Sequence, residues 1–302
     1  AAAEALKDEL RANYQKRAAR ERSMAAQAAD ALDAAQSAPD SASAVAQLGM
    51  VLHAYDKFEG AARCYERALF LQPDQFAWLY YLGRVKTRLG DHEGALDALR
   101  QAVGLDPSYA PAGLQLADVL LSSGAIEDSR TRYEALRRDH PALVPAVYGL
   151  GRALSELGDS AAARDQLTQA VELAPEFGAA HYALGLAYRD LGQVEAAGRH
   201  MAVATRTSGR RPPVDDSLMS DIHALRTDPR SREMQAFRLQ LEDKVVESIQ
   251  QYEQALANDP DLVQAHLNLI NLYTRTGQAE RAEQHYRRVV ELNPNLADAH
   301  YN

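Results

Sequence analysis

The chain is poor in cysteine, tryptophan and lysine: Cys64 stands alone, tryptophan occurs once, and five lysines face 28 arginines among 302 residues. A single thiol makes no internal disulfide and no thiolate metal cluster, and the neighbours of Cys64 place it inside a helix, packed rather than reactive. Positive charge is in the minority, 33 basic against 42 acidic groups, for a formal charge of −9 and a pI near 5.5. Nucleic acid calls for a concentrated basic face, so none is expected as a partner. No stretch approaches the roughly 18 consecutive apolar residues of a membrane-spanning helix. Runs of valine, isoleucine and aromatics are scarce as well, which argues against sheet and for a large elongated helical body. There is no phosphate-cradling glycine loop, no H-E-x-x-H and no C-x-x-C-H. Asp215-Asp216 reads as a helix start rather than a catalytic pair. Neither catalytic residues nor metal nor cofactor is expected.

Prolines supply the first positive feature. Pro73, Pro107, Pro141 and Pro175 stand 34 residues apart, and Gly90, Gly124, Gly158 and Gly192 keep the same spacing. Pro260 and Gly277 resume the period after 85 residues, and Pro294 follows 34 after Pro260, so 17 residues, 212–228, are inserted between two blocks. With residue 42 as the first place, the units are 42–75, 76–109, 110–143, 144–177 and 178–211, then 229–262 and 263–296. Within a unit, a large apolar residue precedes a small one at the seventh and eighth places, as in Leu82-Gly83 and Leu150-Gly151. The twentieth place is small (Ala61, Ala95, Ala163) and the twenty-fourth large (Tyr65, Leu99, Tyr133, Leu167). Knobs thus alternate with holes along helix faces. Glycine in the fifteenth place permits a tight turn, and proline in the thirty-second ends the second helix.

This pattern of Leu-Gly, loop glycine, alanine, tyrosine or leucine, alanine and proline resembles the tetratricopeptide repeat over roughly four-fifths of the chain. The resemblance implies an all-α, right-handed superhelical solenoid of stacked antiparallel helix hairpins, about seven repeats plus the start of an eighth at 297–302. It implies a scaffold for protein binding, since one hairpin cannot bury its apolar face alone and the stack presents a continuous surface.

Around each first helix the second, fifth, ninth and twelfth places lie about 120° from the packed face. In the family this side lines the concave groove. Here it carries Tyr80, Leu114, Tyr148 and Tyr182 in the fifth place and Arg84 and Arg152 in the ninth, with Arg88, Arg189 and Arg275 nearby. Tyrosines offer flat amphipathic contact and arginines planar forks for carboxylates, so an extended or helical peptide with acidic groups is the expected ligand along 76–190. The family's carboxylate clamp for chaperone tails is not matched, because Ala46, Met50, Tyr80, Tyr81 and Arg84 stand at its places. Asn268 and Asn302, with Asn271 nearby, match the sixth-place asparagine ladder known from O-linked N-acetylglucosamine transferases, whereas Gln47, Tyr81, Gln115, Gly149 and Ala183 do not. That partial match supports an alternative, a substrate-recruiting arm of an enzyme whose catalytic domain lies outside this chain.

Residues 1–41 fall outside the register and are expected to form a helix that caps the first repeat or docks a partner. A third possibility places contacts on this helix and the convex face. The insertion 212–228 is expected to form one extra helix, with Leu218, Met219, Ile222 and Leu225 on one face. The chain begins without methionine, so bacterial cytoplasm and periplasm both remain open, the bacterial reading coming from the arginine and alanine bias.

Overall fold

The computed structural model describes residue 21 and residues 24–294, and every regular element among them is a helix. Helix α1 covers 24–37. It is followed by α2 (Ala42–Ala54), α3 (Phe58–Leu71), α4 (Phe76–Leu89), α5 (His92–Leu105), α6 (Ala110–Ser122), α7 (Ile126–Asp139), α8 (Val144–Glu156) and α9 (Ser160–Leu173). Then come α10 (Gly178–Asp190), α11 (Val194–Arg206), α12 (Ser217–Ala224), α13 (Pro229–Leu241), α14 (Val245–Asn258), α15 (Val263–Arg275) and α16 (Ala279–Leu292). The chain divides into two compact units. One comprises Ala38–Gly49 and Lys57–Met219; the other comprises Met50–Asp56, residues from Ser220 onward and the described residues before Ala38.

In the first unit consecutive helices pack as antiparallel hairpins, α4 on α5, α6 on α7, α8 on α9 and α10 on α11. The turn inside each hairpin is made at the fifteenth place, where Gly90, Gly124, Gly158 and Gly192 take φ of 79°, 85°, 82° and 74°. Where that glycine is replaced by aspartate the backbone does not change its mind: Asp56 and Asp243 hold φ of 62° and 58°, a conformation that aspartate tolerates better than most residues. Two of the second helices, α5 and α9, begin at side-chain caps, where Asp91 and Asp159 accept from the backbone N–H of Gly94 and Ala162. The second helices α3, α5, α7 and α9 all end alike. They stop two residues before proline, because the residue preceding proline is driven out of the helical region; Gln72, Asp106, His140 and Ala174 all turn to ψ between 72° and 91°.

The core follows the knob-and-hole reading. Tyr65, Leu99, Tyr133 and Leu167 are completely buried, as are Ala61, Ala95 and Ala163. Each such large side chain contributes about 1.5–3 kcal/mol by burial. A serine takes the small twentieth place twice, and its hydroxyl donates to a carbonyl of the preceding helix: Ser129 Oγ to Ala117 O at 2.9 Å and Ser248 Oγ to Ala236 O at 2.8 Å. Tyrosines of the twenty-fourth place reach the sixth place of the following repeat, sixteen residues on. Tyr65 meets the ring of Tyr81 at 5.6 Å, Tyr133 covers Gly149, and Tyr252 accepts from the Asn268 amide at 2.8 Å.

The second compact unit packs α13 on α14 and α15 on α16 around Tyr252, Leu269, Leu272 and Tyr273. At its start the Gln27 amide donates to Leu225 O, and the Tyr55 phenol accepts from Thr227 N at 3.0 Å. Asp228 caps α13 through Ser231 N.

Two histidine pairs recur nineteen residues apart. His181 and His200 bring their Nδ1 atoms to 3.0 Å, His266 and His285 to 2.8 Å. In each pair the first ring donates Nε2–H to a proline carbonyl, Pro175 or Pro260. That bond leaves its Nδ1 as the acceptor and requires Nδ1–H on the partner ring. His181 and His266 occupy the fourth place of their repeats and are buried; His300, at the same place, lies outside the described residues.

The insertion contains one helix, α12. It covers Ser217–Ala224, and residues 211–216 have no regular secondary structure. Pro212 and Pro213 account for this, since each fixes φ and removes a donor that a helix interior needs. Asp216 then accepts from Met219 N at 3.0 Å and starts the helix.

Candidate functional site

The first helices of the first unit present their fifth-place side chains along one wall, and residues 212–219 of the same chain lie against it. Exposure alternates from Arg211 to Leu218: Arg211, Pro213, Asp215 and Ser217 face solvent, while Pro212, Val214, Asp216 and Leu218 are partly buried; the alternation ends at Met219, which is fully buried. This alternation gives the segment one face against the protein. It crosses the helices in reverse order. Pro212 borders a cavity with Phe177, before α10; Val214 packs on the cluster containing Leu114, Leu136 and Leu150; Asp216 reaches α4.

Asp216 is the centre of the polar contacts. Its Oδ2 accepts from the Tyr80 phenol at 2.6 Å and its Oδ1 from the Tyr109 phenol at 2.7 Å. The Arg84 guanidinium stands 3.9 Å from Oδ2 and donates to the Tyr80 oxygen at 3.4 Å. The backbone is held beside it, with Leu218 N donating to the Tyr109 oxygen and Leu218 O accepting from the Tyr81 phenol, both at 3.2 Å. Tyr109 meets Phe76 and Tyr80 edge to face, at 5.3 and 5.5 Å between ring centroids. Burial pushes the phenols of Tyr80, Tyr109 and Tyr148 above the ordinary tyrosine value, so at neutral pH they are donors.

The residues singled out from the sequence fall into three settings. Tyr80 and Leu114 are buried, and Arg84 lies half-buried over the Tyr80 ring. Tyr148 repeats the arrangement one step along: Arg152 lies over its ring at 5.7 Å and the edge of Phe177 contacts it at 4.8 Å. Arg152 and Arg211 both act electrostatically on the Tyr148 phenol. Tyr182 stays 54% exposed, lining an open cavity of about 540 Å³ with Gly178, Met201, Arg210 and Arg211. Arg88 is turned to the Phe58 ring and Arg189 to its neighbour Asp190. Asn268, Asn271 and Arg275 belong to the second compact unit. There the Asn268 amide donates to Tyr252, Arg275 pairs with Asp243 at 3.0 Å, and Asn271 is exposed.

Tyr109 was not singled out, and Asp216 was read only as a helix start. Tyr109 occupies the last place of its unit, 29 residues after Tyr80; Phe177 stands 29 after Tyr148 and touches it in the same way. That repeated aromatic spacing is a signal the sequence carries. Among the described residues no group of three or more His, Cys, Asp or Glu could hold a metal ion, and no helix is long and apolar enough to cross a membrane. Cys64 is half-buried, and burial raises its thiol above the ordinary value.

Two family models, both described as tetratricopeptide repeat, match residues 47–110 with 148–212 and residues 87–154 with 239–302. Similar curated proteins include a CTR9 homolog of Arabidopsis thaliana, 31% identical over 127 residues, and the BBSome complex member BBS4 of Xenopus tropicalis, 31% identical over 101 residues. The alignments take in 41% and 33% of this chain but only 11% and 20% of those proteins. Among solved structures, MamA 41-end from Desulfovibrio magneticus RS-1 superposes with a TM-score of 0.53 at 22% identity, covering 57% of this chain and 98% of that one. YrrB, described as a TPR protein with an unusual peptide-binding site, superposes with a TM-score of 0.51 at 18% identity, covering 63% and 96%. At these identities the likeness concerns the fold.

Proposed function

The chain belongs to the tetratricopeptide-repeat family, an all-α helical repeat scaffold for protein interaction, and from that premise we propose that its first unit is a non-enzymatic module that holds an extended, acidic segment of a partner protein along the first-helix wall. The observation that carries this reading is Asp216, whose carboxylate takes two phenol donors and a nearby guanidinium at the end of a segment that turns alternate side chains to the wall. Such charge-assisted bonds to a desolvated carboxylate contribute about 1.5–3 kcal/mol each. The same chemistry is repeated at Tyr148 and Arg152, which extends the wall toward the exposed Tyr182. Tyrosines kept neutral by burial donate hydrogen bonds and do not act as bases, which agrees with binding rather than catalysis. That one neighbouring fold is described as binding a peptide agrees with this use.

The test is a pull-down from the source organism with the full chain as bait beside Tyr148→Ala/Arg152→Ala, followed by direct titration of the captured protein's acidic segment. Capture that depends on both residues and weakens with salt supports the reading. Capture unchanged in the double variant overturns it.

A further inference from the structure

We propose that the Tyr80, Tyr109 and Arg84 pocket selects peptides carrying an acidic residue two positions after an apolar one, and that residues 212–219 occupy it as a tethered competitor which a partner's segment must displace. The inference rests on the first-helix wall being a peptide site, and adds what the peptide must look like and why the site is closed to weak binders.

The recognised pattern is visible in the occupant. Val214 and Leu218 flank Asp216 at alternate positions; Val214 enters the Leu114 and Leu150 cluster, and the peptide unit of Leu218 is held by Tyr81 and Tyr109. Only Asp216 contributes a charge to the inward face, and its neighbour Asp215 is exposed. Selectivity therefore falls on one carboxylate two residues after an apolar anchor, with the peptide unit two residues further on held through its backbone.

The occupant is built to leave. Its first part, 211–216, makes no secondary structure of its own. Pro212 and Pro213 restrict its backbone at little entropic cost, and Gly209, with φ of 82°, turns the chain before it. Asp216 follows the end of α11 by ten residues, so the tether supplies an effective concentration on the order of millimolar. A free peptide meets the pocket only in the fraction of molecules whose own segment has lifted, and its apparent affinity falls by that fraction.

The probe is a fluorescent synthetic peptide of residues 210–220, titrated by anisotropy into the full chain and its variants. Asp216→Lys sets a positive charge against Arg84 and removes the acceptor for both phenols. Asp216→Asn loses the charge but keeps the helix cap, since asparagine caps as well as aspartate, and so controls for folding. The peptide should bind Asp216→Lys at least about tenfold tighter than the native chain, with Asp216→Asn between them. Adding Tyr80→Phe and Tyr109→Phe, which retain both rings, should abolish the gain, and a peptide with asparagine in place of its Asp216 should not bind. Equal binding to the native chain and Asp216→Lys, or a gain that survives the two Tyr→Phe changes, overturns the inference. If the peptide binds no variant while partner capture still requires Tyr148 and Arg152, the competitor fails and the partner-binding reading stands. If it binds as expected while capture ignores those residues, the partner-binding reading fails instead.

Discussion

The same substitution, glycine to alanine, should have opposite signs at two helical positions. Gly149 in α8 faces the ring of Tyr133, and a Cβ there would fall well inside the closest approach that non-bonded carbons make. The ring cannot retreat easily: Tyr133 is completely buried and its phenol donates to Asp118. Overpacking of this kind costs about 1–3 kcal/mol, against which alanine's better helix propensity returns about 0.5–1 kcal/mol. Gly198 in α11 is exposed, and an added Cβ meets nothing within 4 Å, so there the propensity gain stands alone. Gly149→Ala should destabilise by about 1–2 kcal/mol and Gly198→Ala should stabilise by up to about 1 kcal/mol. Thermal melts followed by circular dichroism and urea titrations of the two variants would read the difference, with about 2–4 °C in Tm per kcal/mol for a body of this size. A Gly149→Ala protein as stable as the native one would refute the claim that the Tyr133 ring is fixed; a Gly198→Ala protein less stable than native would refute the reading of that site as open.

The histidine pairs predict acid sensitivity. Burial, then the facing His181 or His266, lowers His200 and His285 below the ordinary value of 6.5, with Arg199 and Arg281 acting the same way and Glu253 opposing at His285. A histidine with a lowered folded-state value takes up its proton more readily when unfolded, so stability is full above about pH 6.5 and declines as pH falls through the folded values. Tm should drop below pH 6.5, before the carboxylates titrate, and the drop should shrink in His200→Gln/His285→Gln; an unaltered slope in that variant would disprove the assignment. Ser129→Ala should cost no more than about 1 kcal/mol, although the hydroxyl is fully buried, because alanine already fills this place in Ala61, Ala95 and Ala163 and the Ala117 carbonyl keeps its helical position. A loss above about 2 kcal/mol in urea denaturation would contradict that estimate.

The repeat register was legible because it rests on residues whose backbone preference is local: proline at the thirty-second place and glycine at the fifteenth act on their own φ and ψ. The knobs were legible for a similar reason, since Tyr65, Leu99, Tyr133 and Leu167 recur on one helical face. The wall was half legible. Tyr80 with Arg84 and Tyr148 with Arg152 follow helical spacing and do form ring-and-guanidinium pairs. What covers them was hidden, because the bond from Tyr80 to Asp216 spans 136 residues and no local pattern encodes it. In the insertion, Leu218, Met219 and Ile222 lie in α12, which begins beyond Pro212 and Pro213 with Asp216 at its start; the helical period carries no information on the path of residues 211–216 along the wall.

The contact between the twenty-fourth place of one repeat and the sixth of the next limits how freely repeats could be exchanged. Tyr65 is matched to an aromatic ring, Tyr133 to a bare backbone and Tyr252 to an amide. Moving the hairpin that begins at Phe76 into the position after Tyr133 would drive the Tyr81 ring into space that the Tyr133 ring fills over Gly149, and moving the hairpin of Gly149 behind Tyr252 would leave that phenol without the Asn268 donor. The repeats share a backbone but not an interface, so their order along the chain is itself part of the folding information, and a shuffled chain of the same hairpins would be a different protein.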